Sequence, residues 1–155
     1  MTERDEKFMR RAIELANEAA ALGEVPVGAV VVMDDMIVAE AYNRRECDKN
    51  AVAHAELLAI DLACRALGGW RLHKCELFVT LEPCPMCAGA IVNSRIKRVI
   101  IGAKDAKAGA FGSLINLNFY PLNHKPEIVF GICEKEASAQ LQEFFKCLRD
   151  KRKKQ

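Results

Sequence analysis

The segment from Glu76 to Gly102 most restricts what this chain can become. Glu76 to Thr80 has the apolar, β-branched character of a strand, Glu82-Pro83 breaks it, and Pro85 suits the first turn of a helix running to about Ser94. Arg98 to Gly102 then reads as a second strand. Strand, helix and strand with joints this short imply a parallel pair linked by a right-handed crossover and buried on both faces. The remaining elements must pack around that unit.

Upstream, Thr2 and Asp5 look like a capping pair, and Phe8, Ala12, Leu15, Ala19 and Leu22 recur at helical spacing until Gly23. Val27 to Met33 and Ile37 to Tyr42 read as a β-hairpin turned at Asp34-Asp35, and residues 43–50 as a polar loop. A second helix is expected from near His54 to Leu67, stopped by Gly68-Gly69. Residues 103–126 read as mixed loop with a short helical piece, Glu127 to Phe130 as a strand, and a final helix starts near Glu134. This alternation predicts a three-layer α/β/α domain over residues 1–155, with a five-stranded mixed sheet.

Composition narrows the setting. With 155 residues, 51% of them hydrophobic and 28% charged, the chain suits one compact soluble domain. No apolar run approaches the roughly 20 residues that span a bilayer, and Met1 to Arg11 alternates charges where a secretory leader needs an apolar stretch. Seven cysteines, an odd number scattered along the chain, argue for reduced thiols and a cytoplasmic protein. The net charge of +2 conceals an asymmetry, because residues 1–145 hold 17 basic and 20 acidic residues. Basicity belongs to the C-terminal tail, residues 149–155, read either as a solvated frayed end or as a phosphate contact.

The chemistry concentrates in His54-Ala55-Glu56 and Pro83-Cys84-Pro85-Met86-Cys87. Positions i and i+3 of a helix lie about 60° apart in azimuth, so Cys84 and Cys87 can aim both sulfurs at one point, where the helix dipole favours thiolates. His54, opening another helix, can approach the same point. One nitrogen and two sulfurs leave tetrahedral zinc one open position, as in catalytic rather than closed structural sites. Water would fill it, and zinc lowers the pKa of such a water from about 15.7 towards 7. Glu56, two residues from His54 and so facing a different way, is placed to move protons and not to bind the metal. Two other readings remain open on these residues alone. A Cys-x-x-Cys at a helix start is also the layout of a disulfide oxidoreductase, and Cys75, His73 or Cys47 could close a noncatalytic structural zinc module.

Beyond that pair of motifs the chain closely resembles the bacterial tRNA adenosine deaminases of the cytidine and deoxycytidylate deaminase superfamily. The likeness rests on Glu24-Val25-Pro26-Val27-Gly28-Ala29-Val30, Asn43-Arg44, Ala53-His54-Ala55-Glu56 and Thr80-Leu81-Glu82-Pro83-Cys84-Pro85-Met86-Cys87-Ala88-Gly89-Ala90. It continues through Asp105-Ala106-Lys107, Gly112-Ser113-Leu114, Asn123-His124 and Phe144-Phe145. The resemblance implies the same α/β/α fold, a homodimer, and one zinc per subunit on His54, Cys84 and Cys87. It also implies hydrolytic conversion of adenosine to inosine at the wobble position of a tRNA, chiefly an arginine acceptor. Glu56 would shuttle protons, Asn43 would hydrogen-bond the flipped purine, and Val27 and Ala55 would wall its pocket. Asp105, Lys107, Asn123 and Phe145 match positions that contact the anticodon loop, with Arg44, Arg71 and Arg149 as looser candidates for its phosphates.

By spacing alone, Leu141, Phe144, Phe145 and Leu148 form an ordinary core stripe. The resemblance turns Phe145 towards RNA and leaves Phe144 in the core. Asn50-Ala51-Val52 departs from the Asp-Pro-Thr-like stretch common in the family, which bears on how the loop entering His54 is held. Within the superfamily, the rival reading is a deaminase of free cytidine, deoxycytidylate or guanine.

Overall fold

Alternate residues of each strand serve two different cores. In the computed structural model, which describes residues 2–155, Ala29, Val31, Leu77, Val79, Val99 and Ile101 face one side of a five-stranded sheet. Val30, Val32, Phe78 and Ile100 face the other. Side chains of a strand point alternately to opposite faces, so near-continuous apolar runs arise where both faces are covered. Helices α1 (Glu3–Ala21) and α4 (Glu134–Lys153) cover one face, and α2 (Ala55–Leu67) and α3 (Pro85–Ser94) the other.

Strands β1 (Gly28–Met33), β2 (Met36–Tyr42), β3 (Glu76–Leu81), β4 (Arg98–Ala103) and β5 (Glu127–Phe130) lie in the order β2-β1-β3-β4-β5. β1 is antiparallel to β2 and β3, whereas β3, β4 and β5 run parallel. The hairpin turn puts Asp34 and Asp35 at φ of 51° and 61°, the double left-handed geometry of a type I′ turn. Gly28 sits so close to α1 that a Cβ there would overlap the Ala12 carbonyl, which explains how tightly that helix lies on β1.

The expected elements are all present, with their ends displaced by at most a residue or two. Thr2 Oγ1 accepts the Asp5 N–H at 3.1 Å as the cap of α1, and Gly68 ends α2 at φ 74°. Two open readings are narrowed. The C-terminal residues are exposed, as a solvated end requires, but they are helical and not frayed as far as Lys153. The stripe Leu141, Phe144, Phe145 and Leu148 is not core either: only Ala137 of α4 is buried, Phe144 is half-buried, and Phe145 is exposed. A helix with most of its apolar face uncovered is lining something other than the sheet.

Candidate active site

The parallel strands aim their C-terminal ends at one crevice, the usual ligand position in open α/β sheets. Two helices begin there. His54 is the N-cap of α2 and Cys84 the N-cap of α3, Pro85 occupies the first turn of α3, and neither cap side chain makes a capping hydrogen bond. The sulfur and imidazole are therefore free to meet each other. His54 Nδ1 lies 3.7 Å from Cys84 Sγ and 3.6 Å from Cys87 Sγ, and the three donor atoms fall within 4.8 Å of one another.

These separations fit a tetrahedral ion. With Zn–S near 2.3 Å and Zn–N near 2.0–2.1 Å, a tetrahedral angle puts nitrogen and sulfur about 3.6 Å apart. Among the described residues no fourth His, Cys, Asp or Glu joins the group. Cys75 is packed in the core and Cys47 is exposed, so the closed structural site is not built. A disulfide oxidoreductase would leave the approach of His54 to both sulfurs unexplained. Within the cluster the Cys84 thiol is lowered to about 4, chiefly by the hydrogen bond from Cys87 and also by His54. Cys87 is pushed up by giving that bond and by burial, and His54 is raised by its bond to Cys84 and by the nearby Glu56.

Glu56 stands beside this cluster without belonging to it. It is 4% exposed, and burial pushes its carboxyl up to about 7. A buried acid with no guanidinium beside it can change protonation state near neutral pH, which general acid–base chemistry requires. The loop before His54 is ordered despite its unusual sequence: Asn50 Oδ1 accepts the Val52 N–H at 3.0 Å and the Asn50 carbonyl the Ala53 N–H at 3.1 Å. Asparagine thus supplies the turn that a proline would have stiffened.

The cluster opens into a cavity of about 770 Å³. Val27, Asn43, Ala55, Asp105, Lys107, Phe145 and Arg149 all line it beside His54, Glu56 and Cys84. Asn43 is buried, its Nδ2 donating to the Val25 carbonyl and its Oδ1 accepting the Arg45 N–H, both at 3.3 Å. One N–H and one lone pair remain for a ligand. Asp105 Oδ1 accepts the N–H groups of Lys107 and Ala108, so it shapes its own turn first.

Three of the sequence-derived residues are not brought to the cavity. Arg44 turns away to pair with Asp48 and lies over the Tyr42 ring. Arg71 stacks on Trp70 past the C-terminal end of α2, about 20 Å along the helix from His54. Asn123 sits in the loop after the 3₁₀ turn Leu117–Phe119, exposed and outside the lining. Arg45 and Lys104, which sequence reasoning passed over, line it as well, together with Leu141 and Leu148, read by spacing as core, and Arg152 of the basic tail. For α4 the signal was available: Leu141, Phe145, Leu148, Arg149 and Arg152 share one helical face, mixed apolar and basic. Arg45 and Lys104 had none, since isolated loop cations carry no periodicity.

Residues 2–103 match the family model of the cytidine and deoxycytidylate deaminase zinc-binding region. The chain is 51% identical over 150 residues to the tRNA-specific adenosine deaminase of Bacillus subtilis, covering 96% of this chain and 93% of that one. It is 46% identical over 154 residues to that of Haemophilus influenzae, covering 98% and 89%. A solved structure from work on A-to-I editing by tRNA:A34 deaminases superposes with a TM-score of 0.85 at 42% identity, over 87% of this chain and 99% of that one. Guanine deaminase from Nitrosomonas europaea superposes with a TM-score of 0.76 at 25% identity, over 90% and 83%. With its zinc-ligand geometry and near full-length likeness, the chain belongs to the tRNA-specific adenosine deaminases, within the cytidine and deoxycytidylate deaminase family.

Proposed function

We propose that this protein converts adenosine to inosine at the wobble position of a transfer RNA, chiefly an arginine acceptor, as a cytoplasmic homodimer with one zinc per subunit. The observation that carries the reading is the convergence of His54 Nδ1 and two sulfurs at tetrahedral spacing beside a buried carboxyl outside the ligand set. Zinc held by His54, Cys84 and Cys87 supplies the Lewis acidity that makes water a nucleophile at neutral pH. Glu56 does the proton work. It takes a proton from the attacking water and gives it to adenine N1, then delivers the second to the departing amino group, which leaves as ammonia. The C6 carbon gains oxygen and the base becomes hypoxanthine. Asn43 offers its spare N–H and lone pair to the flipped base, and Val27 and Ala55 bound its plane.

Charge around the opening favours a polyanion. Arg45, Lys104, Lys107, Arg149 and Arg152 line the cavity, and among the described residues none of them is in an ion pair. Exposed Phe145 on the same rim offers a stacking face for an unpaired base. A single-stranded anticodon loop, with bases splayed and phosphates close, suits this mixture better than a free nucleobase does. The homodimer is supported by the exposed apolar side chains Leu114, Phe119 and Tyr120, with Phe119 83% exposed. Sedimentation at micromolar concentration should give the mass of two chains, and a single-chain mass would remove the dimer. Among the described residues no helix is long and apolar enough to cross a membrane.

The substrate test compares inosine formation on an anticodon stem-loop carrying a wobble adenosine with ammonia release from free adenosine, cytidine and guanine. The stem-loop is expected to turn over fastest. Faster turnover of any free compound overturns the assignment to tRNA.

A further inference from the structure

Glu82 is 2% exposed and, among the described residues, is in no ion pair. A buried carboxylate persists only where hydrogen bonds replace the water it lost. All of its partners come from one stretch of chain. Oε1 accepts the Asp105 N–H at 3.1 Å and the Ser113 hydroxyl, and Oε2 accepts the N–H groups of Phe111 and Ser113, each at 3.1 Å. Four donors from residues 105 to 113 thus close on a side chain that leaves the end of β3 immediately before Pro83-Cys84.

The fit is close enough to dictate a neighbouring residue. A Cβ on Gly109 would overlap the Glu82 carboxyl carbon and one of its oxygens, so the loop passes over the carboxylate with only a glycine between them. Backbone bonds tie the same loop to the zinc-side strand end, with Ala110 N–H donating to the Pro83 carbonyl at 2.9 Å. What the loop carries towards the cavity is Asp105, Ala106, Lys107 and Ala108, while Phe111 on its far side is buried in the core.

We propose that Glu82 is a positioning residue whose carboxylate fixes residues 104–113 as one wall of the substrate cavity, setting how the RNA is seated and not how ammonia is expelled. The substrate side of this inference rests on the tRNA reading above. The side chain sits in the cavity wall and acts through the loop it holds. Glutamine at this position keeps the shape but turns one oxygen into an NH₂ group, which cannot accept, leaving two of the four donors without their acceptor.

The test is Glu82→Gln in the zinc-loaded enzyme, with three readouts. Zinc should stay at one per chain. In the substrate-free protein, hydrogen exchange at the amides of Asp105, Phe111 and Ser113 should quicken at least tenfold. On the anticodon stem-loop, KM should rise tenfold or more while kcat stays within threefold. Unchanged exchange overturns the assignment, as does a fall in kcat at constant KM, which would put Glu82 in the chemistry. The exchange measurement needs no substrate, so it decides the positioning role even where the wild-type protein proves inactive on the stem-loop and the tRNA reading falls. Should Glu82→Gln fail to fold, Ser113→Ala withdraws one donor, and smaller shifts in the same two readouts are expected; no shift in either overturns the proposal.

Discussion

At the start of β3 and β4, Asp5 and Glu76 are buried against the guanidiniums of Arg98 and Arg4, with Arg98 2.7 Å from each acid and Arg4 2.6 Å from Glu76. At the other end of the same strands, Glu56 is buried to a similar degree among thiols and an imidazole, and the nearby cations of the rim carry no carboxylate. The contrast separates charge used to hold the fold from charge kept available for chemistry. Paired carboxylates stay ionised and silent. Glu56, buried with neither a guanidinium nor the ring of donors that holds Glu82, can trade a proton, and cations without partners can take phosphates.

The largest effect should follow from removing the exchangeable proton. Glu56→Gln is expected to slow inosine formation by about 10²- to 10⁴-fold, the usual share of general acid–base catalysis, while zinc content measured by elemental analysis stays at about one per chain. His54→Ala, Cys84→Ala or Cys87→Ala should instead lose the metal. Loss of zinc from Glu56→Gln would make Glu56 a ligand and erase the distinction between carboxyl and cluster.

The opposite end predicts stability without activity. Arg98→Ala leaves buried Asp5 with only a 3.5 Å contact to Arg4 and Glu76 with one guanidinium in place of two, which costs about 3 kcal/mol. Chemical denaturation should show that loss while kcat of the folded enzyme is unchanged. The pH dependence has a definite sign. The bond from Arg98 holds the Asp5 carboxyl below its ordinary value despite burial; for Glu76, burial pushes upward, but Arg4 and Arg98 outweigh it. Carboxyls depressed in the folded state bind fewer protons there than in the unfolded chain. Their stabilisation is complete above the unfolded pKa values, near 4, and drains away as pH falls through the folded values. Wild type should therefore lose stability more steeply than Arg98→Ala below about pH 4, and equal slopes would show that the cluster carries no linked protons.

The sequence disclosed features that depend on neighbours along the chain. Apolar β-branched runs, helical spacing and breaker residues placed the strands and helices, and the two short motifs predicted a ligand set whose donor atoms the structure brings within 4.8 Å of one another. Features made by distant segments stayed hidden. Glu82 reads in sequence only as part of a strand break, because its four donors lie 23 to 31 residues further on. Arg44 and Arg45 are indistinguishable in sequence, yet an ion pair with Asp48 removes the first from the cavity and leaves the second on its rim. Phe144 and Phe145 had the opposite problem. A regular stripe suggested burial for both, but α4 covers only part of the sheet and leaves its apolar side to the crevice.

The smallest effect tests whether the rim cations are available in the sense the contrast requires. Helical continuation to Lys153 divides the basic residues by direction: Arg149 and Arg152 line the cavity, whereas Lys153 and Lys154 do not. A cation that neutralises one phosphate of a single strand contributes about 0.7 to the slope of log affinity against log salt. Arg152→Ala should flatten that slope by this amount for the anticodon stem-loop and weaken binding modestly at low salt, with Lys153→Ala leaving the slope unchanged. Equal flattening by both substitutions would mean that the helix end attracts RNA as a diffuse charge. Cavity-facing direction would then count for nothing, and the distinction drawn between committed and available charge would hold for Glu56 alone.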